Sequence, residues 1–222
     1  MSTEYYFSEQ AFLPTGWANK VRIQVTDGRI SQIETDAEDT GCIRLSGPTL
    51  PTMPNLHSHA FQRAMAGMTE RRGPSGSDSF WTWRRLMFRF LDQLTPDDVQ
   101  AITAYVQMEM LEAGYGASVE FHYLHHAPGG LPYADRAEMS ARIAAAAAET
   151  GIGLTLLPVL YMQGGVDGRD LSPGQVRFGN DIHGYNAIVD GAEAALNSLP
   201  EDARLGIAPH SLRAVTREAL AQ

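Results

Sequence analysis

From residue 51 onward, short apolar segments alternate with longer stretches that carry a helical pattern. Four strands are predicted, near residue 50 and at residues 117–122, 154–160 and 204–209. Strands that alternate with helices form a parallel sheet with both faces covered, which leaves a doubly wound sheet or a (β/α)8 barrel. No G-x-G-x-x-G follows the first strand, so nucleotide-binding variants are disfavoured.

The helices between these strands have recognisable ends. Thr95-Pro96 predicts a helix start and Gly114 its stop, with Val99, Ile102, Val106 and Met110 as the buried face. An Ala-rich helix within residues 133–150 should stop at Gly151. A further helix is predicted near residues 184–199, and Thr216 is expected to open a last one.

The first fifty residues have the period of strands instead. Residues 20–25 alternate polar and apolar side chains, Asp27-Gly28 predicts a hairpin turn, and the alternation resumes at residues 29–33. Another short strand is predicted at residues 43–46. We therefore expect a small β layer at residues 1–50 and an α/β domain at residues 51–222.

Composition and charge exclude several classes of function. The chain of 222 residues has a formal net charge of −9 at pH 7, whereas a nucleic-acid partner calls for a basic face. No apolar run approaches the ~20 residues of a membrane span, and the N-terminus lacks the basic start of a secretory signal. We expect a cytoplasmic protein with no nucleic-acid or membrane partner.

Two histidines stand at the end of the first strand of the larger domain. In P-T-M-P-N-L-H-S-H-A-F-Q, His57 and His59 are two positions apart, so both side chains leave one face of a strand. Two imidazoles on one face can chelate a metal ion such as zinc, although the same spacing also fits ordinary polar positions. Barrel active sites lie at the C-terminal ends of strands, which favours a metal pair.

The segment around these histidines resembles the first-strand signature of the amidohydrolase superfamily, in which a small β-sandwich precedes the barrel. Other segments resemble one family within it, the formimidoylglutamate deiminases. They are N-L-H-S-H-A-F-Q-R-A-M-A-G at 55–67, D-S-F-W-T-W-R at 78–84, E-F-H-Y at 120–123, G-I-G-L-T-L-L-P-V-L-Y at 151–161 and H-S-L-R-A-V at 210–215. The resemblance implies an incomplete β-sandwich segment at 1–50 and the first four units of a (β/α)8 TIM barrel at 51–222.

The same resemblance implies an activity and a set of site residues. The family hydrolyses N-formimidoyl-L-glutamate to N-formyl-L-glutamate and ammonia in histidine degradation, with one zinc ion that activates water. His57 and His59 match two metal ligands. Five further positions match residues that line the substrate site: Gln62, Arg84, Tyr123, His210 and Arg213.

The chemistry of these residues suits a dicarboxylate. A guanidinium pairs with a carboxylate through two parallel hydrogen bonds, so Arg84 and Arg213 could clamp such a substrate despite the net charge. Tyr123 could donate its hydroxyl to it, and His210 could bind its polar groups. Each residue also has an ordinary role open to it: a surface arginine, a buried core aromatic, a structural histidine or, for Gln62, a helix-start position.

Other histidines and aromatic residues are left out of the predicted site. His122 is expected to pack in the barrel wall. His125 and His126 fall in a loop, where solvated or supporting roles are expected rather than metal ligation. Trp81 and Trp83 could shape a pocket, but aromatic residues at this spacing more often pack.

The family resemblance also implies what this chain lacks. Binuclear members of the superfamily use a lysine after the fourth strand, but that position offers His210, and Lys20 is the single lysine beside sixteen arginines. A mononuclear site is therefore expected. The family's remaining metal and proton-transfer groups, a His and Glu after strand five, a His after strand six and an Asp after strand eight, would lie beyond residue 222. We expect an N-terminal part of a longer enzyme, with no catalytic residue of its own and no activity alone.

Three hypotheses remain open. The first is a zinc-dependent formimidoylglutamate deiminase, the second another amidohydrolase that deaminates an amidine or guanine-like ring, and the third an inactive half-barrel remnant. Paired arginines favour the first over the second, because a neutral base needs no double clamp. A downstream H-x-x-E and a late Asp would favour an enzyme over a remnant. A small anionic substrate is the expected partner, and a homodimer is the assembly left open.

Overall fold

The structure is a computed structural model that describes residues 2–69 and 79–222. The chain divides into two compact units, Met1–Thr52 and Met53–Gln222. Asp78, the first residue of the D-S-F-W-T-W-R segment, lies outside the described residues. Within the described residues, no helix is both long and apolar enough to cross a membrane.

The first unit is a four-stranded sheet with the order β3-β2-β1-β4. Strand β1 (Thr3–Leu13) pairs antiparallel with β2 (Gly16–Thr26), β3 (Arg29–Glu34) pairs antiparallel with β2, and β4 (Ile43–Arg44) runs parallel to β1. The predicted hairpin is confirmed.

Positive backbone φ values close that hairpin. The φ angles are 49° at Asp27 and 78° at Gly28, and two such residues in succession match the twist of the flanking strands. The prediction of short strands was wrong for β1 and β2, which have 11 residues each. Their inward-facing side chains, led by Ala11, Val21 and Ile23, form a small core of their own.

The second unit is an α/β fold with a parallel sheet, as predicted. The strands β5 (Met53–Ser58), β6 (Tyr115–His122), β7 (Gly153–Leu160) and β8 (Arg204–Leu205) lie side by side in chain order. Strand β9 (Ala208–Pro209) also pairs with β7, so the predicted fourth strand is split in two. Gly206 stands at the break, where a Cβ would come within 2.5 Å of the Leu157 side chain.

The main helices of the described residues are four α-helices and a six-residue 3₁₀ helix after β5. They are the 3₁₀ helix Ala60–Met65, α1 (Phe80–Leu91), α2 (Pro96–Glu112), α3 (Glu138–Thr150) and α4 (Ile182–Leu196). A capping box between Thr95 and Asp98 starts α2, and Gly151, with a φ of 77°, ends α3. Both boundaries were predicted from these residues.

Two expectations for the helices were wrong in part, and helix α1 was not predicted. Thr216 accepts a hydrogen bond from the Ala219 N–H, but within residues 216–222 only the 3₁₀ turn Ala219–Ala221 forms. The buried face of α2 includes Val99 as predicted, but its other fully buried residues are Thr103 and Gln107.

Candidate active site

Four side chains with polar or aromatic character each stand directly after a strand of the parallel sheet. His59 follows β5, Tyr123 follows β6, Tyr161 follows β7 and His210 follows β9. Parallel strands bring their carboxyl ends to one edge, which is where ligands bind in α/β proteins. All four side chains line one cavity of about 250 Å³.

This cavity gathers six of the seven residues that the sequence predicted for the site. They are His59, Gln62, Arg84, Tyr123, His210 and Arg213. The seventh, His57, is not among the lining residues, but its Nε2 lies 3.0 Å from the Nε2 of His59. Residues up to 154 positions apart in sequence therefore meet at one edge of the sheet.

The two imidazoles of His57 and His59 face each other through their Nε2 atoms. Their rings are nearly perpendicular, with an interplanar angle of 85° and centroids 4.7 Å apart. The Nδ1 of His59 lies 3.0 Å from the carbonyl oxygen of Phe121. A carbonyl can only accept, so Nδ1 carries the proton and Nε2 of His59 presents a lone pair. Burial lowers the pKa of His59, and the neighbouring His57 lowers it further.

Two arginines give the cavity its positive charge. Arg84 comes from α1 and stacks its guanidinium over the ring of Phe88, 5.0 Å from the centroid. Arg213 lies beyond β9, and its Nε is buried without a hydrogen-bond partner among the described residues. Neither arginine takes part in an ion pair within residues 2–69 and 79–222.

The charge of these arginines is felt at His210. Desolvation lowers the pKa of His210 to about 4, with further lowering by Arg213 and Arg84. His210 is therefore neutral at physiological pH, and its Nδ1 lies 3.0 Å from the Ser211 hydroxyl. A partly enclosed cavity with two guanidinium groups and a neutral imidazole has the local positive charge that attracts an anion.

Gln62 and Tyr123 form a hydrogen-bonded pair in the wall of the cavity. The Nε2 of Gln62 donates to the Tyr123 hydroxyl at 3.0 Å, and that hydroxyl lies 3.7 Å from the Sδ of Met87. Burial raises the pKa of Tyr123, so its hydroxyl stays protonated and can donate. Gln62 lies within the 3₁₀ helix Ala60–Met65, so it both belongs to a helix and lines the cavity.

Aromatic side chains that the sequence did not assign complete the wall. Tyr161, Phe178 and Phe121 line the cavity, as does Trp83, whereas Trp81 does not. Tyr161 ends the G-I-G-L-T-L-L-P-V-L-Y segment, and its place after a strand could have marked it. Phe178 lies in a Gly-rich connection between β7 and α4, where no periodicity points to a buried position.

The remaining histidines on this side of the sheet are structural. His122 is buried, as expected. A solvated position for His125 and His126 was wrong, because both are buried: His125 Nε2 donates to the Val159 carbonyl at 2.9 Å, and His126 Nε2 to that of Gly179 at 2.9 Å. Across the described residues, no three or more His, Cys, Asp or Glu side chains come together as a metal site. Within that part of the chain, the His57/His59 pair is thus a site of two donors.

Comparisons with known proteins agree with this arrangement. Residues 3–42 match the family model described as Formimidoylglutamate deiminase HutF, N-terminal domain. The formimidoylglutamate deiminase of Pseudomonas aeruginosa is 50% identical over 216 residues, which are 97% of this chain and 47% of that protein.

Solved structures give the same result at the level of the fold. An amidohydrolase from Brucella melitensis superposes with a TM-score of 0.92 at 46% identity, over 98% of this chain and 48% of that one. An adenosine deaminase from Xanthomonas campestris with bound zinc superposes with a TM-score of 0.63 at 13% identity, over 92% of this chain and 42% of that one, which shows the fold alone. The chain spans about half the length of the relatives it matches.

Sequence and fold thus point to one group of proteins. The match to the Pseudomonas aeruginosa deiminase runs through nearly the whole chain, from the small sheet to the segments that line the cavity. The chain is similar to the first half of formimidoylglutamate deiminases.

Proposed function

We propose that the chain belongs to a zinc-dependent deiminase that hydrolyses N-formimidoyl-L-glutamate to N-formyl-L-glutamate and ammonia. This reaction is a step of histidine degradation and takes place in the cytoplasm. The observation that carries the proposal is one cavity lined by His59 and by two arginines without ion-pair partners among the described residues, with the His57 ring against that of His59. The relative that is 50% identical is a formimidoylglutamate deiminase.

The donor set of the histidine pair fits zinc. Two nitrogens that each lie 2.0–2.1 Å from a tetrahedral zinc ion are roughly 3.3 Å apart, and the two Nε2 atoms of the pair are 3.0 Å apart. The Phe121 carbonyl fixes His59 in the tautomer that a ligand needs. When bound, zinc supplies the Lewis acidity that lowers the pKa of water.

Arg84 and Arg213 are the proposed clamp for the two carboxylates of the substrate. Each guanidinium can make two parallel hydrogen bonds to one carboxylate. The buried Nε of Arg213 has no hydrogen-bond partner in the described part of the chain, and a buried donor of this kind is costly unless a ligand satisfies it. The formimino group is carried by the α-nitrogen, next to one of the two clamped carboxylates, and in this proposal it faces the histidine pair.

The other lining residues orient the substrate and exclude water. Tyr123 is a protonated donor held by Gln62. His210 is neutral, so it can bind a polar group without adding a third positive charge. The rings of Phe121, Tyr161 and Phe178 enclose the space between them, which strengthens the electrostatic interactions inside it.

The complete enzyme is proposed to be a (β/α)8 TIM barrel preceded by a small β-sandwich. In this view, residues 51–222 supply the first four β/α units and residues 1–50 part of the sandwich. A catalytic zinc has three protein ligands as a rule, and the described part of this chain offers two. The remaining ligand and the proton-transfer groups are assigned to the other half of such a protein, so the chain alone is expected to be inactive.

Binding of the reaction product tests the clamp directly. We expect N-formyl-L-glutamate to bind the zinc-loaded chain in calorimetry. N-formyl-L-glutamine, which has the same size but one carboxylate fewer, should bind about tenfold or more weakly, since a charged hydrogen bond contributes about 1.5–3 kcal/mol. Equal affinity for the two ligands, or tighter binding of guanine than of either, would favour the alternative of another deaminase.

A further inference from the structure

A buried carboxyl group lies directly beneath the histidine pair. Glu120, in β6, is 3% exposed, and its Oε1 accepts a hydrogen bond from the backbone N–H of Ala60 at 2.8 Å. The Ser58 hydroxyl lies beside the same carboxyl group and partly offsets the effect of burial on its pKa. Among the described residues no cation pairs with it, so burial raises the pKa of Glu120 to about 7.

The two neighbours of the Glu120 carboxyl group flank His59 in sequence. Ser58 lies between His57 and His59, and Ala60 follows His59 directly. The next residue of β6, Phe121, accepts from the Nδ1 of His59 through its carbonyl oxygen. Strand β6 therefore holds this short segment through two hydrogen bonds, to the Ala60 N–H and to the His59 ring, with the Ser58 hydroxyl beside the carboxyl group.

These contacts compensate for an irregular strand end. The register between β5 and β6 shifts between Asn55 and Ser58. Regular β-sheet hydrogen bonds therefore do not fix the backbone around His57 and His59. A carboxyl oxygen that accepts from the Ala60 N–H supplies a hydrogen bond just beyond Ser58, the last residue of β5 that pairs with β6. A purely apolar residue at position 120 would leave the Ala60 N–H buried without this partner.

We propose that Glu120 is a positioning residue for the metal pair. It holds Ser58 and Ala60 so that the Nε2 atoms of His57 and His59 converge on one point, and it thereby sets the affinity of the pair for a divalent cation. The inference rests on the proposed metal role of the pair. Glu120 touches neither the cation nor the substrate.

Two variants of Glu120 separate the hydrogen bonds from the charge. Glu120→Gln keeps an oxygen for the Ala60 N–H and an amide beside the Ser58 hydroxyl. Glu120→Ala removes the contact with the Ala60 N–H and the contact with Ser58. Gln107→Ala is the matched control, since Gln107 is a buried polar residue of similar size that accepts from Thr150 on another helix. Ser58→Ala removes only the hydroxyl beside the Glu120 carboxyl group. It is the alternative variant if Glu120→Ala does not fold.

Two measurements on the full 222-residue chain read out positioning. Zinc affinity is measured by competition with a chromophoric chelator, and ¹⁵N NMR of the metal-free chain reports the tautomer of His59, assigned with a His59→Asn spectrum. We expect Glu120→Ala to weaken zinc binding about tenfold or more and to move His59 toward a mixture of tautomers. Ser58→Ala should weaken zinc binding about threefold. Glu120→Gln and Gln107→Ala should leave the zinc affinity and the His59 tautomer close to native.

The outcomes distinguish this inference from the proposed function. Native zinc affinity and a native His59 spectrum in Glu120→Ala and Ser58→Ala would overturn the inference, as would equal losses in Glu120→Ala and the Gln107→Ala control. If the native chain binds no zinc but the His59 tautomer is lost only in the Glu120 and Ser58 variants, positioning of the imidazole is supported while the metal role of the pair fails.

Discussion

Arg84 and Arg213 are the residues on which the choice of an anionic substrate depends. They stand on different elements, one in α1 and one beyond β9, yet both lower the pKa of the same imidazole, His210. The chain as a whole has a formal charge of −9, so an anion has to be attracted by local charge. Two half-buried guanidinium groups in one cavity provide that charge.

Replacement of either arginine should therefore reduce the affinity for the product. We expect Arg84→Met and Arg213→Met each to weaken N-formyl-L-glutamate binding about tenfold to a hundredfold, because each change removes charged hydrogen bonds of about 1.5–3 kcal/mol. Calorimetry gives the dissociation constants. Arg85→Met is the control, since Arg85 neighbours Arg84 but does not line this cavity. A similar loss in Arg85→Met would mean that overall charge, and not the clamp, governs binding.

At this scale the sequence predicted the polar residues of the site better than its walls. H-x-H at a strand end indicates a metal pair by its own chemistry, whereas the other polar residues, such as Arg84 in W-T-W-R and Tyr123 in E-F-H-Y, were assigned through the family resemblance. Phe178 and Trp83 could not be found in this way, because an aromatic side chain looks the same whether it lines a cavity or fills a core. What decides between the two is long-range packing.

Among the elements, the end of β6 and the turn after it hold three buried histidines. His122, His125 and His126 are all buried, and desolvation is the largest cause of the lowered pKa of each. For His125 the pKa falls to about 4. In the unfolded chain it is about 6.5, so the unfolded state binds protons that the folded state cannot accept.

The pH dependence of stability follows from that difference. The neutral histidines contribute full stability above about pH 6.5, and it is lost as the pH falls toward 4, at up to about 3 kcal/mol for His125. Urea unfolding between pH 8 and 4.5 measures this loss. We expect His125→Gln, whose amide can still donate to the Val159 carbonyl, to flatten the curve. An unchanged slope in the variant would show that His125 is not the group that titrates.

The buried side chain of Arg177 connects the end of helix α1 to the Gly-rich connection. Arg177 is 1% exposed and donates to three backbone carbonyls, those of Leu91, Leu94 and His126. The first two lie at the C-terminal end of α1 and just beyond it, where carbonyls have no helical partner. Because α1 carries Arg84, this contact also fixes one arm of the clamp.

Loss of the Arg177 side chain should be costly. We expect Arg177→Met to lower the free energy of unfolding by about 3 kcal/mol or more, because it removes three buried hydrogen bonds to backbone carbonyls. Urea unfolding measures the change, and hydrogen exchange should show lost protection at the end of α1. Arg169→Met, which removes an exposed arginine paired with Asp167, should stay within about 0.5 kcal/mol. Equal effects of the two changes would contradict the proposed role of Arg177.

Elements with a chemical signal at their ends were predicted well, and the others were not. Thr95-Pro96 and Gly151 mark helix ends through side-chain caps and a left-handed backbone, both of which are local. Helix α1 was missed although Ser79 and Thr82 form its capping box and its apolar side chains recur at helical spacing. The split between β8 and β9 lies at Gly206, which the Leu157 side chain approaches closely, and no local pattern contains that contact.

Taken as one molecule, the described part of the chain offers two proposed metal ligands and a proposed substrate clamp, and none of its residues is assigned the proton transfer of the proposed reaction. We expect no ammonia release from N-formimidoyl-L-glutamate by the purified chain above the rate of a chelator-treated sample. A coupled assay with glutamate dehydrogenase measures the ammonia. A rate that the chelator abolishes would show that the residues of this half alone suffice for turnover.

Strand β6 also limits how the site can change in evolution. Phe121 and Tyr123 face the cavity, while Glu120 and His122, at the alternate positions, are buried away from it. Side chains of a strand alternate between its faces, so the insertion or deletion of one residue upstream would exchange the two sets. A carboxyl group and an imidazole would then replace two aromatic rings in the wall. Changes in the length of this strand among related proteins are therefore expected in steps of two residues.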